Sequence, residues 1–149
     1  MSTGEPPKLG GILETVLYCR EDTREQMFRF YDEVLGLAEC RVSRGGYRLG
    51  SGMLLIFNAD RSSIQTSPPP HGTMGRGHTC FMSPPGAYDR WQQWLRGAGV
   101  EIIEEIEWDT PFHGRSFYFH DPAGNVLEIA DRDIWPPAPR REVGGGTGS

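Results

Sequence analysis

Apolar residues follow two spacings along the chain, and the two spacings alternate. Residues 12–19 are rich in Leu, Ile, Val and Tyr, which is typical of a strand. An amphipathic helix is predicted next by five apolar residues at the i, i+3, i+4, i+7, i+8 spacing, namely Met27, Phe30, Tyr31, Val34 and Leu35. Gly36 is a favourable helix end. Three short strands are predicted at 39–43, 47–49 and 53–58, so the first half has the order βαβββ.

The same order returns in the second half. Residues 78–82 predict a strand, and a second helix is predicted by the apolar stripe Tyr88, Trp91, Leu95 and Ala98. One or two strands follow within 101–108. A hairpin then joins 116–120 to 125–130, because the intervening Asp-Pro-Ala-Gly favours a tight turn. We therefore predict an α+β fold of two βαβββ modules whose sheets form a cup-shaped, partly open barrel.

Composition shifts divide the chain into five segments. We expect a mobile N-terminus at 1–9, a first module at 10–60, a Pro-rich linker at 61–75, a second module at 76–135 and a disordered tail at 136–149. At 149 residues the two modules are expected to form one domain with a shared core.

Charge and cysteine usage exclude several classes of function. The formal net charge is -5, with no block of like charges, so nucleic acid is not an expected partner. The three cysteines lack a CxxC spacing, and the N-terminus has no apolar run typical of a signal peptide or a membrane span. These features predict a cytoplasmic protein that has no membrane partner.

The repeat aligns three side chains that could hold a metal. Glu128 is an acid in an apolar hairpin strand, where a buried carboxylate must be neutral, paired or metal-bound. Glu14 and His78 open the first strand of each copy and fall on the inward faces. One His with two carboxylates suits one divalent metal such as Fe, Mn, Ni, Co or Zn. At a constant offset of 72 residues, Ile56 takes the place of Glu128 in the first copy.

Simpler explanations exist for each of these residues. Glu128 could pair with Arg115 or Arg48, and His78 could be a core imidazole bonded to the backbone. Glu14 could be a solvated or salt-bridged acid at a strand end. The simpler explanation of Cys80 is a buried structural thiol. The simpler explanation of His71 is a surface position in the linker.

Other residues could line a substrate pocket or move protons. An apolar pocket with a few polar contacts is predicted to contain Arg48, Phe57, Trp108, Phe112, His113 and Ser116. His120, like His113, flanks the hairpin and is a candidate general base, because imidazole titrates near neutral pH. Exposure in a loop is the simpler explanation of both histidines.

Three segments carry a resemblance to a known family. FYDEVLGL at 30–37, the Gly77-His78 strand start, and SFYFHDPAGNVLEIAD at 116–131 resemble the vicinal oxygen chelate superfamily. That superfamily includes glyoxalase I, extradiol dioxygenases, fosfomycin resistance transferases and bleomycin resistance proteins. The resemblance covers about residues 11–135. It implies metal ligands at Glu14, His78 and Glu128 and a homodimer, and Tyr118 matches a tyrosine beside the metal of the dioxygenases.

Departures from the family pattern limit the activity. Ordinary glyoxalase I has a second acid where Ile56 stands, so that activity is disfavoured. We expect a metal-dependent lyase, isomerase or dioxygenase acting on a small substrate with vicinal oxygens, in which Tyr118 or a histidine such as His120 assists proton transfer. The alternative is a metal-free binding or sequestering protein of the bleomycin-resistance type. A third possibility is an accessory subunit without a pocket of its own.

Overall fold

Two small mixed sheets, of three and four strands, carry the fold of this chain. The structure is a computed structural model that describes residues 6–109 and 113–137. The sheets are not closed into a barrel. The predicted pocket residue Phe112 and most of the predicted tail lie outside the described residues. None of the described helices is long and apolar enough to cross a membrane.

The first sheet contains β1 (Glu14–Cys19), β2 (Gly46–Leu49) and β3 (Gly52–Asn58) in the order β1-β3-β2. β1 runs parallel to β3, and β2 runs antiparallel to it. The strand predicted at 39–43 is wrong, because the segment retains only an isolated bridge at Glu39. A turn replaces the rest of it, closed by hydrogen bonds from the Ser43 amide to the Cys40 carbonyl and from the Cys40 amide to the Gly46 carbonyl.

The predicted first helix is present in two parts. α1 (Arg24–Arg29) follows a 3-10 turn at Glu21–Thr23 and continues as a π-helical segment at Phe30–Val34. The chain turns out of it at Gly36, whose φ of 65° suits a residue without Cβ. The apolar stripe is buried against the sheet, with Tyr31 fully buried. A short helix, α2 (Ala59–Ser62), extends into the predicted linker.

The second sheet contains β4 (His78–Met82), β5 (Glu104–Trp108), β6 (Gly114–His120) and β7 (Val126–Ala130) in the order β4-β7-β6-β5. The helix α3 (Tyr88–Gly97) connects β4 to β5. β4 runs parallel to β7, and β6 is antiparallel to both of its neighbours. The order of helix and strands therefore matches the prediction for this half of the chain.

One face of each sheet packs on the helices and supplies the core. Leu17, Ile56, Phe117, Phe119 and Leu127 belong to this buried cluster. Since successive side chains of a strand point to opposite faces, the residues between them lie on the other face. That second face, here called the open face, contains the candidate site in the four-stranded sheet.

Strand register corrects the alignment of the two copies. Glu14 pairs with Met53, whereas His78 pairs with Val126, so the offset between the copies is 73 rather than 72 within these strands. The counterpart of Glu128 is therefore Leu55. Ile56 faces the helix and is 3% exposed. The first copy still has an apolar residue where the second has an acid.

Candidate active site

His78 and Glu128 meet on the open face of the four-stranded sheet. His78 is the first residue of β4, and Glu128 lies on β7, the adjacent strand. The Nε2 atom of His78 is 3.3 Å from Oε2 of Glu128. Half of the His78 side chain is exposed, whereas only 6% of the Glu128 side chain is exposed. The pair thus joins a solvent-accessible imidazole to a buried carboxylate.

Backbone contacts determine which imidazole nitrogen faces the carboxylate. Nδ1 of His78 is 2.9 Å from the carbonyl oxygen of Val126. A carbonyl oxygen only accepts hydrogen bonds, so Nδ1 must carry the proton and donate. In the neutral imidazole, Nε2 then presents a lone pair towards Glu128. Two acceptors at 3.3 Å require a proton or a cation between them.

Glu128 has a second oxygen that is not satisfied. Its Oε1 atom is buried and has no hydrogen-bond partner among the described residues. A buried acceptor without a partner costs about 1–3 kcal/mol, more when it is charged. A divalent cation suits this arrangement, because it would bind the carboxylate and the Nε2 lone pair together. The donor set therefore fits a metal that takes imidazole and carboxylate ligands.

A polar chain on β5 and β6 leads towards the same carboxylate. Trp108 Nε1 donates to the Oγ atom of Ser116, 2.9 Å away, and Ser116 is completely buried. The Tyr118 ring stacks on the His78 ring at 6.2 Å between centroids. Burial raises the pKa of the Tyr118 hydroxyl, and the nearby Glu128 carboxylate adds to the rise. At neutral pH the Tyr118 hydroxyl is thus protonated and can donate a hydrogen bond.

Cys80 shares the open face, contrary to the buried position expected from the sequence. It pairs in register with Glu128 and is exposed. Partial loss of hydration around the thiol, followed by the Glu128 carboxylate, raises the pKa of Cys80 to about 12. The thiol is consequently neutral at physiological pH.

Glu14 lies apart from the His78–Glu128 pair. It lines a cavity of about 210 Å³ at the junction of the two sheets, together with residues 79–82 of β4. Within residues 6–109 and 113–137, the structure contains no group of three or more His, Cys, Asp or Glu side chains arranged to hold a metal. Two of the three predicted ligands are therefore together within the chain.

The remaining predicted residues are dispersed over both sheets. Arg48 is exposed on β2 and donates to the Ser51 carbonyl. Phe57 packs near His71 on the first sheet, at 5.3 Å between ring centroids. The exposed His113 lines a cavity at the start of β6 that Trp108 also borders.

Two histidines have surroundings that differ from those expected. His120 borders a separate cavity of about 290 Å³ with Phe30 and Glu101. His71 is half-buried rather than a surface residue, because its Nδ1 atom lies 2.6 Å from the Tyr18 hydroxyl. Neither histidine lies beside the His78–Glu128 pair in the structure.

The arginine partners suggested for Glu128 bind elsewhere. Arg115 stacks on the Tyr88 ring, 4.5 Å from its centroid, and contacts Asp89 at 3.4 Å and Asp131 at 3.9 Å. Arg48 points to the turn after β2. Two groups that support His78, the Val126 carbonyl and the Asn125 side chain, were not among the residues predicted from the sequence. The parallel pairing of the strands that contain His78 and Val126 would have indicated the first of these.

The chain matches a described protein family over most of its length. The family model for the Glyoxalase/Bleomycin resistance protein/Dioxygenase superfamily matches residues 13–129. No curated protein matches the chain.

Solved structures show the same fold. A lactoylglutathione lyase from Agrobacterium tumefaciens is 30% identical, with a TM-score of 0.74, over 87% of this chain and 98% of the other. A glyoxalase/dioxygenase from Nostoc punctiforme is 21% identical, with a TM-score of 0.62, over 87% and 96%. Fosfomycin resistance protein FosX from Mesorhizobium loti is 19% identical, with a TM-score of 0.57, over 85% and 96%. The chain therefore belongs to the glyoxalase/bleomycin resistance protein/dioxygenase superfamily.

Proposed function

We propose that this protein is a divalent-metal-dependent enzyme that acts on a small substrate with vicinal oxygens. One observation carries the proposal: His78 Nε2 lies 3.3 Å from Oε2 of the buried Glu128 carboxylate. The other ring nitrogen, Nδ1, donates a hydrogen bond to the Val126 carbonyl. The other carboxylate oxygen of Glu128, Oε1, is buried without a hydrogen-bond partner among the described residues. The fold neighbours include a lactoylglutathione lyase, which supports enzymatic activity.

His78 and Glu128 would hold the metal, and Tyr118 would serve the substrate. A bound divalent cation supplies a Lewis acid that polarises substrate oxygens. Glu128 offsets the cation's charge, while the Val126 carbonyl keeps the His78 lone pair free for binding. Tyr118, whose hydroxyl stays protonated because its pKa is raised and whose ring stacks on His78, would donate a hydrogen bond to a substrate oxygen.

The reaction is proposed to differ from that of the lactoylglutathione lyase. The first copy has Leu55 at the position equivalent to Glu128, so the second acid of ordinary glyoxalase I has no counterpart there. Isomerase and dioxygenase chemistry use the same polarised pair of oxygens. Incubation of the metal-loaded protein with methylglyoxal plus glutathione, and separately with small catechols plus dioxygen, would distinguish the glyoxalase and dioxygenase reactions.

A metal-free binding protein is the second candidate function. The 3.3 Å separation of His78 Nε2 and Glu128 Oε2 also suits an imidazolium–carboxylate pair, which needs no metal. In that case the open face would sequester an apolar ligand. Metal binding by the wild-type protein decides between the two candidates.

Equilibrium dialysis followed by elemental analysis tests the proposal. Metal-free protein is exposed in turn to Mn²⁺, Fe²⁺, Co²⁺, Ni²⁺ and Zn²⁺. We expect one ion per site in the wild type and its loss in His78→Ala and Glu128→Ala. His113→Ala is the matched control, because His113 is exposed and lies outside the pair. Equal metal content in wild type and both site variants would refute the metal site.

We propose further that the protein is a homodimer in which Glu14 of a second copy completes the site. Glu14 lies in a cavity at the sheet junction and not beside its own chain's pair. Exposed apolar residues surround it, since Ile12 is 83% exposed and Leu13 is 68% exposed. Such a surface is suited to burial against another chain.

Subunit mixing tests this arrangement. Glu14→Ala and His78→Ala would each bind metal poorly as homodimers. In a statistical mixture, heterodimers have one intact site, so roughly a quarter of the wild-type sites should return. Recovery of none, together with a monomer in sedimentation analysis, would overturn the shared site.

A further inference from the structure

Asn125 directly precedes the strand that contains Glu128, and its side chain is fully hydrogen-bonded. None of its side-chain hydrogen bonds is to His78 or Glu128. It precedes β7 and is 1% exposed. Its Oδ1 atom accepts from the Gly77 amide at 2.8 Å. Its Nδ2 atom donates to the Tyr18 carbonyl at 3.1 Å and to Asp121 Oδ2 at 2.8 Å. One side chain thus joins β1, the hairpin turn and the residue before His78.

Three successive hydrogen bonds connect Asn125 to the imidazole. Asn125 accepts from the Gly77 amide, and the Gly77 carbonyl accepts from the Val126 amide at 2.9 Å. The Val126 carbonyl in turn accepts from Nδ1 of His78, also at 2.9 Å. Residues 77–78 and 125–126 are therefore locked in a single register. A shift of Gly77 would move His78 away from the carbonyl that fixes its proton.

Packing makes this register sensitive to small changes. A Cβ atom on Gly77 would lie 2.9 Å from Leu17 Cδ2 and 3.2 Å from Asn125 Oδ1. The glycine is therefore required for the close approach of the backbone to the amide. The Asn125 side chain also donates to the Tyr18 carbonyl of β1. The position of the first sheet therefore influences the position of His78.

We propose that Asn125 is a positioning residue, which acts through Gly77 to orient the His78 imidazole for ligand binding. The predicted effect on metal affinity rests on the proposed function. The orientation of His78 can be measured in metal-free protein. Groups that orient a metal-binding histidine typically change metal affinity by about 10–100-fold when removed. Asn125 would have an effect of that size without contacting the metal.

Two variants perturb the contact from opposite sides. Asn125→Ala removes the acceptor, whereas Gly77→Ala keeps the Asn125 side chain and places a Cβ atom against it and against Leu17. Tyr31→Phe is the control, because it removes a different hydrogen bond of the same network, from the Tyr31 hydroxyl to Asp121 at 2.9 Å. If Asn125→Ala does not fold, Gly77→Ala decides the question.

The measurements are ¹⁵N NMR of the His78 ring in metal-free protein and the Zn²⁺ dissociation constant. We expect Asn125→Ala and Gly77→Ala to weaken the Nδ1 hydrogen bond and to raise the dissociation constant about 10–100-fold. Tyr31→Phe should lower stability and leave both unchanged. An unaltered His78 signal in the folded variants would overturn the inference. Wild-type protein that binds no Zn²⁺ would overturn only the proposed function, since the NMR result still tests the positioning.

Discussion

Replacing Glu128 with Gln has opposite expected effects on stability under the two explanations of the His78–Glu128 pair. Glu128 is 5% exposed, and one of its oxygens has no partner among the described residues. If the pair is a metal site, the unpartnered oxygen lowers the stability of the metal-free protein by about 1–3 kcal/mol. Gln removes the charge, and its amide can donate to the His78 Nε2 lone pair. We therefore expect Glu128→Gln to stabilise the metal-free protein by about 1 kcal/mol.

A structural ion pair predicts the reverse. If His78 is an imidazolium that stabilises the fold, removing its partner costs about 1–3 kcal/mol, less than for a fully buried pair, because half of the His78 side chain is exposed. The two explanations therefore differ in sign. For a chain of this size, each kcal/mol shifts the melting temperature by about 2–4 °C.

Urea unfolding of metal-free protein, with and without added Zn²⁺, measures both effects. Wild type should gain about 2.7 kcal/mol at a free ion concentration of 100 times the dissociation constant. Glu128→Gln should gain much less. Glu107→Gln, at an exposed position on β5, controls for the loss of a carboxylate elsewhere. A loss of about 1 kcal/mol or more in metal-free Glu128→Gln would contradict the metal explanation.

Two further predictions test the electrostatics and the strand register. Because the pKa of Cys80 is about 12, its alkylation by iodoacetamide at pH 8 should be on the order of a hundredfold slower than that of an ordinary thiol, despite its exposure. Glu128→Gln should accelerate the reaction, as followed by mass spectrometry, and equal rates in the two proteins would contradict the role of that carboxylate. Ile56→Glu should unfold the protein, whereas Leu55→Glu should cost less, because only position 55 faces the open side. Circular dichroism during thermal melting measures the difference, and equal losses would contradict the register.

Local periodicity was sufficient to predict most elements. The helix near Tyr31 and the hairpin around Asp121 form because apolar spacing and turn chemistry agree with the final packing. The strand at 39–43 fails for a tertiary reason. Its neighbours Arg44 and Gly45 instead donate to the Glu39 carboxylate, which closes the segment into a turn.

The candidate site was only partly accessible to sequence reasoning. His78 and Glu128 could be paired because the repeat placed them on one face, and β4 lies directly beside β7. The position of Glu14 depends on how the two sheets pack against each other. Local hydrophobic spacing in the sequence does not predict that packing. The offset of 72, one residue short, exchanged Leu55 for Ile56, because a one-residue shift in a strand reverses every side chain.

The hydrogen bond from Nδ1 of His78 determines what Glu128 can bind. A buried acid beside an exposed histidine has many explanations from residue types alone. With Nδ1 donating to the Val126 carbonyl, the neutral ring can only accept at Nε2, and it faces a carboxylate that also only accepts. The pair is therefore repulsive unless a positive charge lies between its atoms. Whether that charge is a proton or a metal separates a structural ion pair from a catalytic centre, and the Gln substitution distinguishes them by sign.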